Sequence, residues 1–223
     1  PWEIQYTDIY SFGNLKESGA EKLLAAYPYV GNNVRERDVP GAGGRSKASL
    51  LNFSSVNGWQ EIWNNNNNEN LHWVGNRIDI GGGHIVMRGC PIRFGNYMEF
   101  GEIFSKNVDA LLCVNLIRVL FAGNFYEEIS MQDFKLDNTW GFKWSDSSGF
   151  GSGSNSWLLG NPEDAFKLAD LNGDGSDELF AVNPSTAAVF KFNTSTSSWE
   201  NLYSDTILGQ YIMQPGDRFY FGN

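Results

Sequence analysis

The chain has 223 residues, with 16 lysines and arginines against 26 aspartates and glutamates, so its formal charge is −10. That excess of negative charge repels phosphate backbones and leaves no basic footprint, which argues against nucleic acid as a partner. A 15 % aromatic share, 25 glycines and only 19 % charged residues suit short strands and tight turns better than helices, and the length fits one large all-β unit.

In chain order, YSFGN (10–14) reads as a strand running into a hydrophilic turn and the apolar strand LLAAYP (23–28). Two polar segments, NNVRERDVPGAGGRSK (32–47) and NNNNNEN (64–70), read as loop insertions on either side of the aromatic pair WQEIW (59–63). IDIGGGHIV (78–86) is a turn between two strands, because Val86 stands where a dinucleotide fingerprint needs its third glycine. The apolar run ALLCVNLIRVLFAG (110–123) holds Asn115 and Arg118, is too short to cross a bilayer, and reads as strand, turn, strand. GFGSGSN (149–155) is a loop without the spacing of a nucleophile elbow.

Three segments align without gaps: NLKESGAEKLLAAYP (14–28), EIFSKNVDALLCVN (102–115) and DLNGDGSDELFAVNP (170–184). Each is preceded by a short strand motif, YSFGN, MEFGE (98–102) or FKLAD (166–170). Each is followed by an aromatic pair four residues apart, WQEIW, WGFKW (140–144) or WENLY (199–203). On an unbroken strand such a pair points to one face, so both rings are expected in one layer. In the turns, Gly19, Asn107 and Gly175 occupy the same column, and both residue types tolerate a left-handed backbone. The chain ends in FYFGN (219–223), a near copy of YSFGN. Residues 1–223 are therefore expected to form a single unit of three repeats, approximately 10–97, 98–165 and 166–223, with a last strand at 217–223 equivalent to 8–14. Each repeat holds about four strands, the content of a propeller blade.

The third turn carries chemistry that the other two lack. Asp170, Asn172 and Asp174 lie at the first, third and fifth positions, Gly175 permits the bend, Ser176 offers a backbone carbonyl and Glu178 closes the loop. Calcium takes six to eight such oxygens. In the other copies Asn14, Lys16, Ser18 and Lys22, or Glu102, Phe104, Lys106 and Ala110, stand at these columns, so no ion is expected there. Asp177, which aligns with Glu21 and Asp109, stays acidic where the ligands are gone and is expected to hydrogen-bond the turn. The loop differs from an EF-hand, because Ala181 stands at its twelfth position and a strand follows.

Loop, strand and aromatic pair together resemble the FG-GAP or VCBS repeats of integrin-α-like β-propellers. The resemblance implies a propeller of four-stranded blades, a calcium ion held by Asp170, Asn172, Asp174, Ser176 and Glu178, and an extracellular setting. It also implies a binding module that recognises glycans or a cell-surface partner, as lectins and adhesion proteins do. A secreted polysaccharide-degrading enzyme or its propeller appendage, and a structural subunit of a larger assembly, are the alternatives. Trp73, Trp157 and Tyr211 lie outside the repeated aromatic pairs and are the candidate ligand contacts. His72 and His84 form no zinc motif, and no catalytic residue stands out. About three blades are too few to close a ring, so closure needs a homodimer or further sequence. Cys90 and Cys113 are open to a disulfide or to two buried thiols.

Overall fold

A computed structural model describes residues 9–15, 21–27, 47–64, 73–79, 85–91, 97–114, 119–121, 124–126, 129–135, 139–146, 149–151, 157, 163–205, 207–208 and 211–212. Every regular element among them is a strand.

Three antiparallel four-stranded sheets dominate. The first is built from β1 (Ile9–Gly13), β2 (Lys22–Tyr27), β3 (Lys47–Ser54) and β4 (Gly58–Asn64). The hairpin β5 (Trp73–Asp79) and β6 (Ile85–Pro91) follows. The second sheet comprises β7 (Tyr97–Ser105), β8 (Val108–Val114), β11 (Ile129–Phe134) and β12 (Trp140–Asp146), with the hairpin β9 (Val119–Phe121) and β10 (Asn124–Tyr126) inserted between its middle strands. The third runs through β13 (Ala165–Ala169), β14 (Glu178–Asn183), β15 (Thr186–Asn193) and β16 (Ser198–Asp205), before the short pair β17 (Ile207–Leu208) and β18 (Tyr211–Ile212). Each sheet holds one of the three aligned segments, whose turn joins its first two strands. The expected last strand at 217–223 lies outside the described residues, as does the glycine column of the first turn; Asn107 and Gly175, in the other two, have φ of 64° and 84°.

Alternate residues of the inner strands explain how the sheets stack. Leu24, Ala26, Ala48 and Leu50 of the first sheet pack against Met98, Phe100, Leu111, Cys113 and Trp140 of the second. The opposite face of the second sheet, Leu112, Val114, Ile129 and Met131, packs against Phe166, Leu168, Leu179, Ala181, Phe190 and Trp199 of the third. Because strand side chains alternate, a middle sheet needs apolar residues on both faces. The run ALLCV in β8 supplies them, and all five residues are buried. Cys113 is disulfide-bonded, and Cys90 is the only other cysteine of the chain.

The aromatic pairs depart from the single-layer expectation. Leu50 pairs with Trp63 but Leu51 with Glu61; Met131 pairs with Trp144 but Gln132 with Phe142; Val189 pairs with Tyr203 but Phe190 with Asn201. One extra residue, Ile62, Lys143 or Leu202, is thus inserted in the fourth strand of each sheet. A bulge of this kind shifts the alternation by one and turns later side chains to the other face. Trp140 accordingly lies in the core between the first and second sheets, while Trp144 packs on the core between the second and third. Trp63 meets Trp140 edge-on at 5.7 Å, and Trp144 meets Phe192 at 5.5 Å.

Candidate metal centre

The loop between β13 and β14 spans Asp170 to Asp177 and is organised by its own side chains. Asp170 Oδ1 accepts the N–H groups of Gly173 at 2.7 Å and Asp174 at 3.0 Å, and Oδ2 accepts that of Gly175 at 2.9 Å. Asn172 Oδ1 accepts the Asp174 N–H at 2.9 Å. Asp174 Oδ1 accepts both the N–H and the hydroxyl of Ser176, at 3.0 and 2.7 Å. These bonds satisfy backbone donors that a tight turn would otherwise leave open, and Gly173 and Gly175 both adopt positive φ to allow them.

Glu178 closes the loop from below, at the start of β14. Its side chain is fully buried, and a buried carboxylate is costly unless it is both paired and hydrogen-bonded. Its Oε2 accepts the Leu171 N–H at 3.0 Å, and its Oε1 accepts Asn172 Nδ2 at 2.8 Å and Lys191 Nζ at 3.0 Å. The ammonium of Lys191, reaching over from β15, also pairs with Asp174. That pairing, together with the Ser176 bonds, holds the Asp174 carboxyl well below the usual aspartate range, and it raises Lys191 in turn.

Asp170, Asn172, Asp174, Ser176 and Glu178 are therefore brought together in one loop, with a cationic group between Asp174 and Glu178. Among the described residues, no group of three or more acidic, histidine or cysteine side chains forms a metal cluster; Asp170 is turned onto the loop amides, and Lys191 pairs with the other two acids. The donor set is nevertheless all oxygen, which fits a hard divalent cation.

Asp177 does something different from what the sequence suggests. Its carboxylate bonds the neighbouring sheet and not its own turn: Oδ2 accepts the Glu102 N–H at 2.8 Å, while the Asp177 N–H donates to the Glu102 carbonyl at 3.1 Å. Asp109 repeats this two-way clasp one sheet earlier, accepting the Asn14 N–H at 2.6 Å and donating to the Asn14 carbonyl at 3.0 Å. Burial is the main force pushing both carboxyls up, with neighbouring acids adding to it; Asp109 rises to about 6. The close approach explains the glycine of each F-G pair. A Cβ on Gly101 would stand 2.7 Å from both Asp177 Oδ2 and Leu168 Cδ1, and one on Gly13 would stand 2.5 Å from the Phe100 ring.

The candidate ligand contacts fare unevenly. Trp157 is buried, bridged to Phe150 by two backbone bonds and packed near Phe166, so its ring is core and not a surface for a ligand. Apolar burial beside Phe150 and Phe166 outweighs exposure for a ring of this size. Trp73 lies on β5 and Tyr211 on β18, but their side chains fall outside the described residues.

No protein-family model matches the chain, and no curated protein matches it. The geometry of the loop, the clasps and the stacked sheets is thus the basis for any functional reading. No helix among the described residues is long and apolar enough to cross a membrane.

Proposed function

We propose that this chain is an extracellular β-propeller binding module of the FG-GAP or VCBS type, that it takes one calcium ion in the Asp170–Glu178 loop, and that it recognises a glycan or a cell-surface partner. The observation that carries the reading is the loop itself: five oxygen-bearing residues meet between two adjacent strands, around a position held by an ammonium. Four strands in each of three successive, stacked sheets supply the blade-like content that such a fold requires. Calcium here serves as scaffold, fixing the β13–β14 turn, and Trp73 and Tyr211 are kept as the candidate contacts for recognition.

A glycan array probed with and without a chelator tests this. Saturable binding to a defined glycan, reduced in Trp73→Ala or Tyr211→Ala, supports the lectin form. An array without hits ends it, and leaves adhesion to a protein surface to be sought by crosslinking on intact cells. One observation favours a structural subunit as the second reading: Tyr10, Phe12, Phe53 and Trp59 are exposed on the outer face of the first sheet.

A further inference from the structure

The sequence holds two Asn-Gly pairs, Asn57-Gly58 and Asn172-Gly173. Each sets a side-chain amide next to a backbone amide that no side chain hinders, which is the combination spontaneous deamidation needs. The glycine nitrogen gives up its proton to base and attacks the asparagine Cγ. A new C–N bond closes a cyclic imide, the Cγ–Nδ2 bond breaks, and ammonia leaves with a proton. Water then opens the ring at one carbonyl or the other, leaving aspartate or isoaspartate. Nothing is oxidised or reduced and water is the sole co-reactant, so local structure sets the rate.

Crowding does not distinguish the two pairs. Neither glycine has a heavy atom within 4 Å of the place a Cβ would occupy, and both adopt positive φ, 68° at Gly58 and 77° at Gly173. Hydrogen bonding does distinguish them. The Gly173 N–H donates to Asp170 Oδ1 at 2.7 Å, so the attacking nitrogen is tied to a carboxylate that opposes loss of its proton. The leaving amide is held as well: Asn172 Nδ2 donates to Glu178 Oε1 at 2.8 Å, and Asn172 Oδ1 accepts the Asp174 N–H at 2.9 Å. Ring closure at Asn172 therefore requires three bonds to open. Asn57 is exposed in the β3–β4 turn, and among the described residues its side-chain amide has no hydrogen bond. Its backbone N–H leans on Ser54 Oγ at 3.4 Å, a hydroxyl shared with the Val56 N–H at 3.3 Å. Val56 is 87 % exposed, so the tip of this turn stands in water. Gly58 opens β4 opposite Ser54, on the terminal rung of the ladder, where fraying is easiest.

We propose that Asn57 is a site of spontaneous deamidation in the folded chain, and that the hydrogen bonds of the β13–β14 loop shield Asn172 from the same reaction. A bond to a charged acceptor that must open first slows ring closure by roughly ten- to a hundredfold. Conversion at Asn57 places a new carboxylate two residues before Trp59, and the isoaspartate form inserts a methylene into the backbone of the turn. Aged chains are then a chemically distinct population at the end of the β3–β4 hairpin, while the loop keeps its neutral amide. The inference goes beyond the proposed function and holds whether or not the loop takes calcium or the module binds glycans.

Peptide mapping by mass spectrometry tests it on the full chain, incubated at mildly alkaline pH in buffer and, in parallel, in urea. Amide and acid differ in mass, and fragmentation separates aspartate from isoaspartate. In buffer Asn57 is expected to convert at least roughly tenfold faster than Asn172; in urea the two rates are expected to converge, because their neighbouring glycines are alike. Asn57→Gln is expected to remove the acidic species that accumulates in isoelectric focusing of the native chain. Asp170→Ala frees the Gly173 N–H and is expected to speed conversion at Asn172 without changing Asn57, with circular dichroism checking that it stays folded. Equal rates in buffer, or an Asn57 as inert as Asn172, overturn the proposal. A rate difference that persists in urea overturns it as well, since the difference would then lie in the sequence and not in the fold. Where Asp170→Ala fails to fold, the comparison of buffer with urea decides the matter by itself.

Discussion

Truncating the first tryptophan of each repeated pair asks whether neighbouring sheets, and not the sheet's own strands, stabilise these rings. Trp140 and Trp199 are 1 and 4 % exposed and lie between two sheets. Replacing either by alanine removes a large buried ring and leaves a cavity, at a cost of about 3–5 kcal/mol. Trp59 occupies the equivalent place but keeps half its surface in water and touches mainly Phe53. With half the transfer term and no cavity to leave, Trp59→Ala is expected to cost about 1–2 kcal/mol. Urea unfolding followed by tryptophan fluorescence and by far-ultraviolet circular dichroism, at protein concentrations that keep the chain monomeric, gives the three values directly. A cost for Trp59→Ala equal to that of Trp140→Ala would refute the account, since it would mean that the ring gains its burial within its own sheet.

Three further outcomes are expected. The Asp109 carboxyl titrates in the fold at about 6 against an ordinary 3.8. The native state therefore binds more protons between those values, so its contribution to stability is full below the lower value and is lost as pH rises through the upper one. Urea midpoints of the native chain should fall over that window, and Asp109→Asn should flatten part of the fall; identical profiles would show that the clasp does not titrate. Calcium should raise the melting temperature and a chelator should reverse it. Glu178→Gln should abolish the rise and Lys191→Met should enlarge it, since the ammonium that competes for Asp174 and Glu178 is gone; a native chain indifferent to calcium in calorimetry would dismiss the ion. Gly101→Ala should cost about 1–3 kcal/mol, because the added methyl meets Asp177 and Leu168 and forces the second and third sheets apart; an unchanged urea midpoint would contradict the close approach.

Much of the architecture was legible because turns and strands announce themselves locally. The loop DLNGDGSDE, the apolar strands after each turn and the aromatic pairs place β2, β8 and β14 and the fourth strand of each sheet. IDIGGGHIV indeed joins two paired strands, β5 and β6. What stayed hidden depends on long-range pairing. The bulges at Ile62, Lys143 and Leu202 leave no mark in composition, yet they reverse the facing of one ring in each pair. Asp177 looked like a turn-capping residue because its partner, Glu102, lies 75 positions away, beyond any local pattern. Trp157 looked like a surface ring because it sits outside the repeated pairs, whereas a single bridge to Phe150 draws it into the core. Lys191 was missed as part of the candidate metal centre, although β-strand pairing sets it across from Glu200 and beside the acidic loop; a lone lysine in an otherwise apolar strand was the available signal.

The bulge in each fourth strand makes the sheets interchangeable building units. Since every sheet hands one aromatic ring backward and one forward, copying or removing a whole sheet within the gene preserves the match at both new junctions. Deleting the single residue Lys143, in contrast, would turn Trp144 towards the wrong neighbour and break a junction that the loss of about seventy residues would leave intact. Growth and shrinkage of such a chain are thus easiest in steps of one sheet, and the three sheets seen here are one point along that series.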